Sequence, residues 1–479
     1  MAGSIVWFRD DLRLADNPAL TAAVRTGAPL VCLFVLDDAS PGHRRPGAAA
    51  RWWLHQSLDA LADGLEQRGS SLVLRRGPAA LVVPQLAREI GAGAVFWNRR
   101  YGAAERATDT AIKADLQRSG VEAVSFNGNL LHEPWDIATR DGGAFKVFTP
   151  FWRAVLARGE PRRPASAADA LARLPAVASD RLYDWALKPV RPDWSGTIAG
   201  SWTPGEAGAL GALSQFLDDG GPDYADHRDQ PDKRATSRLS PHLRFGEISP
   251  AQVWHAIRHA EAVGTISGRA AEKFLSELGW REFCYHLLYA AEDLRAVNVQ
   301  RRFDAFPWRH DEVGLRAWTS GKTGYPLVDA GMRELLRTGW MHNRVRMVAA
   351  SFLVKHLLID WRTGEDWFWD TLVDADPASN PASWQWVAGS GADAAPYFRI
   401  FNPIAQGERF DPEGAYVRRF VPELARLPDA WIHRPWQAPA DVLAEAGVVL
   451  GSSYPAPVVD HAAARLRALA ALASLDAMA

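Results

Sequence analysis

Over the first 130 residues, short apolar runs alternate with longer stretches whose apolar positions recur at helical spacing. Ser4–Phe8 (SIVWF), Leu30–Leu36 (LVCLFVL), Ser71–Arg75 (SLVLR), Ala94–Trp97 (AVFW) and Glu122–Phe126 (EAVSF) read as buried strands. They are brief, continuous and rich in β-branched and aromatic side chains. Between them, Arg51–Arg68 and Ala103–Ser119 carry the helical period. Strands alternating with helices predict a doubly wound parallel α/β domain over residues 1–130.

The pattern then changes. Residues 131–204 are rich in Pro, Ala and Arg, as in GEPRRPASAADALARLP, and hold few long periodic segments. A long connector wrapping the surface is expected there. From residue 205 onward strand signals nearly vanish, while Ala271–Glu292, Leu327–Thr338, Arg344–Ile359 and His461–Leu475 look helical. The expected fold class is α/β + all-α, with a helical domain over 205–479. The sequence shows no internal repeat and no low-complexity tract.

At 479 residues the chain is too long for one compact core, and its 48% hydrophobic content gives ample material to bury. The net charge of −2 does not announce a nucleic-acid binder, although a neutral total can hide a basic face. Two cysteines, Cys32 and Cys284, make neither a disulfide framework nor a metal cluster, and they fit a reducing cytoplasm. MAGSIVWFRDDLRL has no signal-peptide pattern, and no run of 18 apolar residues occurs, so no membrane span is expected. The unusual number is 21 tryptophans. Each indole N–H needs a partner when buried, so packing alone rarely calls for so many. Handling electrons, flat cofactors or bases would.

No G-x-G-x-x-G follows the first strand, which lowers the weight of a nicotinamide reading. In AEKFLSELGWREFCYHLL, Glu277, Trp280 and Arg281 are spaced i, i+3, i+4 and share a helix face. A Glu–Arg surface pair beside a core Trp explains this segment about as well as a site does. In GWMHNRVRMVAAS, Asn343 and Met347 lie at i, i+4, with Arg344 and Arg346 pointing to different sides. One arginine can meet a phosphate and the other an internal carboxylate; solvated arginines on an amphipathic helix are the equal alternative. Tyr224 and the run Thr236-Ser237-Arg238-Leu239-Ser240 before Pro241 offer hydroxyls and backbone N–H groups for a phosphate, or a plain helix N-cap. Trp384 and Trp386 stand two apart and so face different ways, as do Asp374 and Asp376. If buried, those acids need partners such as Arg346 or Arg281. Gly279 inside a helix costs roughly 1 kcal/mol against Ala, which points to close packing.

Ordered motifs spread over almost the whole chain carry a family resemblance. They are VWFRDDLRLADNPAL, TSRLSPHLRFGEISP, SELGWREF, GWMHNRVRM, WQWVAGSGADAAPYFRIFNP, QGERFDPEGAYVRR and YPAPVVDH. With them the sequence resembles the photolyase/cryptochrome flavoproteins, and most closely the photolyases that repair cyclobutane pyrimidine dimers in DNA. The resemblance implies an N-terminal α/β antenna domain and a C-terminal helical domain that holds FAD. It places Tyr224, Thr236, Ser237, Arg238, Leu239 and Ser240 around the phosphates and ribityl chain. Phe274, Arg281, Trp340, Asn343, Arg346, Asp374 and Asp376 are expected to line the rest, with Arg346 and Asp374 paired and Asn380 facing flavin N5. Phe274 stands where some relatives carry Trp. The implied mechanism is light-driven electron donation from FADH− to a flipped-out dimer, ring splitting, and return of the electron. Glu277 is expected to hydrogen-bond the dimer, Trp280 and Trp386 to stack on it, and Asn343 and Met347 to complete the pocket. Arg228, Arg344 and Arg399 are candidate phosphate contacts, with Gln406 a further DNA-side residue. Trp384, Trp361 and Trp308 are expected to conduct electrons to the flavin from the surface.

Within the family, three activities compete. Relatives that repair (6-4) photoproducts place histidines where this chain has Asn343 and Met347, so those proton donors are missing here. Plant-type blue-light receptors carry Asp at the position of Asn380 and usually append a long tail, whereas little chain follows YPAPVVDH. Dimer repair is favoured, with a receptor acting through a partner as the alternative. Asn380-Pro381-Ala382-Ser383 before WQW departs from many bacterial photolyases and leans toward the class III branch near plant cryptochromes. For the antenna, Glu105 resembles the acid that holds 5,10-methenyltetrahydrofolate, and Arg51 and Trp52 border the same expected cleft. The Asn beside that acid in relatives is Ala104 here, so 8-hydroxy-5-deazaflavin is the other pigment. A solvated helix position is the plain reading of Glu105. UV-damaged DNA is the expected partner of a cytoplasmic monomer.

Overall fold

A computed structural model of the chain describes residues 2–174, 177–393 and 398–476. The chain forms two compact units. One comprises Met1–Pro222, Ser237–Asp293 and Val373–Pro377; the other comprises Asp223–Thr236, Leu294–Leu372 and Ala378–Ala479.

In the first unit, β1 (Ser4–Phe8), β2 (Leu30–Leu36), β3 (Leu72–Arg76), β4 (Ala94–Asn98) and β5 (Glu122–Phe126) form one parallel sheet in the order β3-β2-β1-β4-β5. Helices α1 (Pro18–Arg25), α2 (Ala48–Glu66), α3 (Ala79–Glu89) and α4 (Ala103–Arg118) connect them. The pleat sorts side chains by parity. Val6, Phe8, Cys32 and Phe34 pack with Leu20 of α1 and with Trp52, Trp53 and Leu58 of α2. Ile5, Trp7, Val31, Leu33 and Trp97 pack with Val83 and Leu86 of α3 and with Ile112 and Leu116 of α4. Both sheet faces are therefore covered, as a parallel sheet requires. The sequence pattern missed α1 and α3, the first only eight residues long and the second carrying Pro84 within it.

Strand order reverses between β1 and β4, where open α/β sheets ordinarily leave a ligand crevice. Here the chain's own polar groups occupy the strand ends. Arg9 binds Asp109 at 2.7 Å, Asn98 Nδ2 donates to Asp11 at 2.5 Å, and Arg13 Nη1 donates to the Gly246 carbonyl at 2.8 Å.

The stretch read as a connector contains a ten-residue helix, Phe148–Ala157. It packs on the 23-residue helix Gly268–Ala290 through Phe148 against Trp280 and Phe151 against Phe283. The close packing expected at Gly279 is explained by the same helix, because a Cβ there would meet the Trp152 ring at 2.5 Å.

The second unit is helical. Its main elements are Pro326–Thr338, Asn343–Ser351, Trp361–Thr371, Ser379–Ala388, Pro403–Phe410 and His461–Asp476. The helix beginning at Asn343 is shorter than its pattern suggested and passes into a widened turn over Phe352–His356. Among the described residues, no helix is long and apolar enough to cross a membrane.

Candidate functional site

The first unit holds half of the expected site. Arg238 takes a left-handed backbone (φ 54°), which costs energy for a side chain with a Cβ and is typically kept where function fixes the chain. Its guanidinium lies 4.0 Å from the Trp202 ring centre. Ser237 Oγ accepts from Leu239 N, and the single-turn helix Ser240–Arg244 follows. Phe274 is buried against Phe216 at 4.9 Å. Arg244, missed by the sequence reading, ties Val373–Pro377 into this unit. It donates to the Ala375 carbonyl at 2.8 Å and pairs with Asp10 at 2.9 Å.

On Gly268–Ala290, Glu277 and Trp280 are half-buried. Trp280 stacks on Phe148, with ring centres 3.9 Å apart and planes 9° from parallel, so one indole face is already covered. Arg281 donates to the Asn129 carbonyl at 2.7 Å and lies over the Tyr285 ring. Asp376 accepts from the Tyr285 hydroxyl at 2.8 Å, a partner the sequence did not suggest, and Asp374 is buried beside it in the chain. Burial raises the Glu282 carboxyl to about 7, although Arg281 and the backbone N–H groups of Leu131 and His132 oppose the shift.

The expected antenna residues share this unit. Glu105 lies in the first turn of α4, where a carboxylate also favours the helix dipole. Arg51 pairs with Asp38 at 3.3 Å. Trp52 is only 2% exposed and packs into the core beside Trp53, so it presents no open ring face. A surface missed in the sequence adjoins Glu105 along the chain. Arg106 lies 4.4 Å over Tyr289, Tyr289 meets the half-exposed Trp135 at 5.7 Å, and Arg99 lies over Trp135.

The second unit carries the remaining residues. Asn380 is buried, and its Nδ2 donates to Glu365 Oε1 at 2.8 Å and to the Glu365 carbonyl at 3.1 Å. Both amide hydrogens are engaged, so its Oδ1 is left as the acceptor end. Glu365, fully buried, was not legible from spacing. On the same helix, Trp384 is 2% exposed and Trp386 half-buried, the opposite facing that a two-residue step requires. Trp384 meets Phe368 and Trp318 edge-on at 5.0 and 6.2 Å, and any Cβ on Gly364 would collide with its ring. Trp361 is fully buried and donates to Asn298 Oδ1 at 3.0 Å. Trp308 is partly exposed and packs on Phe306 at 4.4 Å.

Asn343 is exposed at the start of its helix, which His342 caps by accepting from Arg344 N. Burial lowers the His342 ring to about 4, so it is neutral near pH 7. Arg346 donates to the Met341 carbonyl at 2.7 Å and lies over Trp340 at 5.7 Å, while Met347 is half-buried. Tyr224 is buried, and Thr236 and Gln406 are half-buried. Arg228 lies over Tyr224, Arg344 pairs with Asp229 at 3.0 Å, and Arg399 is exposed.

Residues 4–170 match the DNA photolyase family, and residues 274–474 match the FAD binding domain of DNA photolyase. The chain is 54% identical to a deoxyribodipyrimidine photo-lyase of Agrobacterium fabrum over 474 residues, covering 98% of each. It is 40% identical to cryptochrome-1 of Arabidopsis thaliana, covering 99% of this chain and 71% of that one. The crystal structure of a bacterial class III photolyase from Agrobacterium tumefaciens superposes with a TM-score of 0.96 at 53% identity, covering 99% of this chain and 98% of that one. With two domain matches and a relative this similar along its whole length, the chain belongs to the photolyase/cryptochrome family.

Proposed function

We propose that this protein is a deoxyribodipyrimidine photo-lyase that uses light and bound FAD to repair cyclobutane pyrimidine dimers in UV-damaged DNA. The observation that carries the reading is Asn380. Its amide hydrogens are held by Glu365, so a fixed carbonyl oxygen is presented. Such an acceptor suits the N5–H of a reduced flavin and cannot deliver a proton to it, unlike the Asp of plant-type receptors. The donor set fits FAD in other respects: hydroxyls and backbone N–H groups at Thr236–Ser240, buried carboxylates at Asp374 and Asp376, and the arginines 281 and 346. Tyr224, Leu239, Phe274 and Trp340 would supply apolar and ring contacts.

When bound, the reduced cofactor supplies the light-excited electron that splits the cyclobutane ring. The chain's residues do the rest. Glu277 hydrogen-bonds the flipped-out dimer and stabilises the charge it acquires; Trp280, with one face already on Phe148, and Trp386 offer ring faces for stacking. Asn343 and Met347 complete recognition, and Arg228, Arg344, Arg399 and Gln406 hold the DNA backbone. Trp384, Trp361 and Trp308 pass electrons inward to restore the reduced state.

Functionally, residues 1–130 serve as the antenna domain, 131–204 as a connector and 205–479 as the catalytic domain. The pigment is 5,10-methenyltetrahydrofolate at Glu105 and Arg51, with 8-hydroxy-5-deazaflavin as the alternative. The cationic and aromatic Arg106–Tyr289–Trp135 surface favours an aromatic ligand on this unit.

Similarity to cryptochrome-1 favours a second reading, a blue-light receptor. The test is to illuminate the reduced protein with an oligonucleotide carrying one thymine dimer, beside a dark control. Light-dependent return of intact thymines is expected. Bound, photoreducible FAD without repair would put the receptor first.

A further inference from the structure

Two of the arginines assigned to the DNA backbone converge on one acid. Arg344 Nη2 lies 3.0 Å from Asp229 Oδ2, and Arg228 Nε lies 3.8 Å from Asp229 Oδ1. Each guanidinium is also braced by a ring, Arg344 over Phe410 at 4.4 Å and Arg228 over Tyr224 at 5.3 Å. The rings hold the arginines in place from beneath. The Asp229 side chain is 36% exposed, against 18% for Arg344 and 10% for Arg228. The carboxylate thus stands at the solvent edge of the pair, where an incoming phosphate oxygen would seek the same N–H donors.

We propose that Asp229 is an intramolecular competitor for DNA phosphate, a positioning residue that brakes the electrostatic, lesion-independent part of DNA binding and so limits trapping on undamaged duplex. This rests on the reading of Arg228 and Arg344 as phosphate contacts. The physical argument is one of additive free energies. Non-specific binding of a duplex is almost entirely phosphate electrostatics, so a carboxylate beside two phosphate-binding cations acts on all of it. Binding of a flipped-out dimer adds stacking on Trp280 and Trp386, which an acid at position 229 does not oppose. Because these contributions add in free energy, removing that charge strengthens both complexes by the same factor and leaves their ratio unchanged. A carboxylate also gives way to phosphate at modest cost, because a partly exposed ion pair contributes little stability.

The test uses the full-length flavoprotein in the dark, with a duplex and the same duplex carrying one thymine dimer, over a series of salt concentrations. For Asp229→Asn, affinity for the undamaged duplex is expected to rise about threefold or more at low salt. The slope of log K against log salt should steepen by about 0.9, one additional phosphate neutralised. The affinity for the dimer duplex should rise by the same factor, so the ratio of damaged to undamaged affinity stays as in the parent. Asp229→Glu should restore the parent values, and the gain should vanish when Arg344→Gln is added, which a merely structural role would not produce. If Asp229→Asn does not fold, Asp229→Ser carries the same comparison. Unchanged or weaker undamaged binding with an unchanged slope would overturn the brake. Should the parent repair dimers and prefer dimer DNA while the variant behaves like it, only the brake falls. Should the parent show no preference for dimer DNA, the repair reading falls with it.

Discussion

Asn380 and Glu365, fifteen positions apart on two helices of the same unit, are locked together by two hydrogen bonds, at 2.8 Å to the carboxylate and 3.1 Å to the backbone carbonyl. Both residues are buried. Glu365→Leu removes the stronger acceptor and leaves an amide hydrogen without one, a loss of about 1–3 kcal/mol. Glu365→Gln keeps a carbonyl acceptor and should cost about 1 kcal/mol or less. Denaturant unfolding of both variants checks this. Equal stability of the Leu variant and the parent would mean the clamp does not hold Asn380.

Trp384 packs edge-on to Phe368 and Trp318 and over the bare Cα of Gly364. Trp384→Phe keeps an aromatic ring but removes the indole as an electron donor. Photoreduction of the oxidised flavin should be blocked, while chemically pre-reduced enzyme repairs dimers nearly as well as the parent. Equal photoreduction rates in the two proteins would remove Trp384 from the electron path.

Glu277→Ala should lower the yield of repair while FAD stays bound. The side chain is only half-buried on a helix whose core face lies elsewhere, so its loss should leave the fold intact. Flavin content after purification and repair yield under saturating dimer DNA decide the matter. Loss of flavin from this variant would assign Glu277 to cofactor binding instead.

Gly279→Ala sets two effects against each other. Helix propensity gains roughly 1 kcal/mol, but the new methyl meets the Trp152 ring, and overpacking costs about 1–3 kcal/mol. The clash should win, giving a net loss of stability in thermal unfolding. A stabilised variant would show that the Phe148–Ala157 helix can move away freely.

Glu282 gives the first unit a pH dependence. Its folded pKa is raised to about 7 from the usual 4.5, chiefly by burial. Between those values the folded state holds a proton that the unfolded state has released. Stability therefore falls as pH rises through this window, by roughly 1.4 kcal/mol per pH unit at most from this group. Glu282→Gln should flatten that slope between pH 5 and pH 7 in denaturant unfolding. An identical slope in the variant would place the effect on another group.

Tryptophan content was a weaker guide than its number suggests. Trp7, Trp52, Trp53 and Trp97 are fully buried beside the sheet of the α/β unit, where they serve as bulk and not as ligand platforms. Trp361 and Trp384 are as buried as these, so burial does not separate an electron path from a core. Only the family resemblance points to Trp361 and Trp384 as an electron path. Likewise Trp280 was legible as a helix-face residue, but Phe148, which covers one side of its ring, lies 132 positions away in a stretch that reads as irregular.

The sequence by itself determined what depends on near neighbours in the chain. Short apolar runs specified the five strands, helical spacing specified helices such as α2, α4 and Gly268–Ala290, and a two-residue step forced Trp384 and Trp386 to face apart. Ordered motifs specified the family. Tertiary structure alone decided which distant groups meet: Asn380 with Glu365, Arg344 with Asp229, Trp280 with Phe148 and Arg244 with the Ala375 carbonyl. The chain passes repeatedly from one unit to the other, so each unit is assembled from separate segments. Periodicity is a local property set by backbone geometry, whereas a contact between distant positions exists only once those segments have packed.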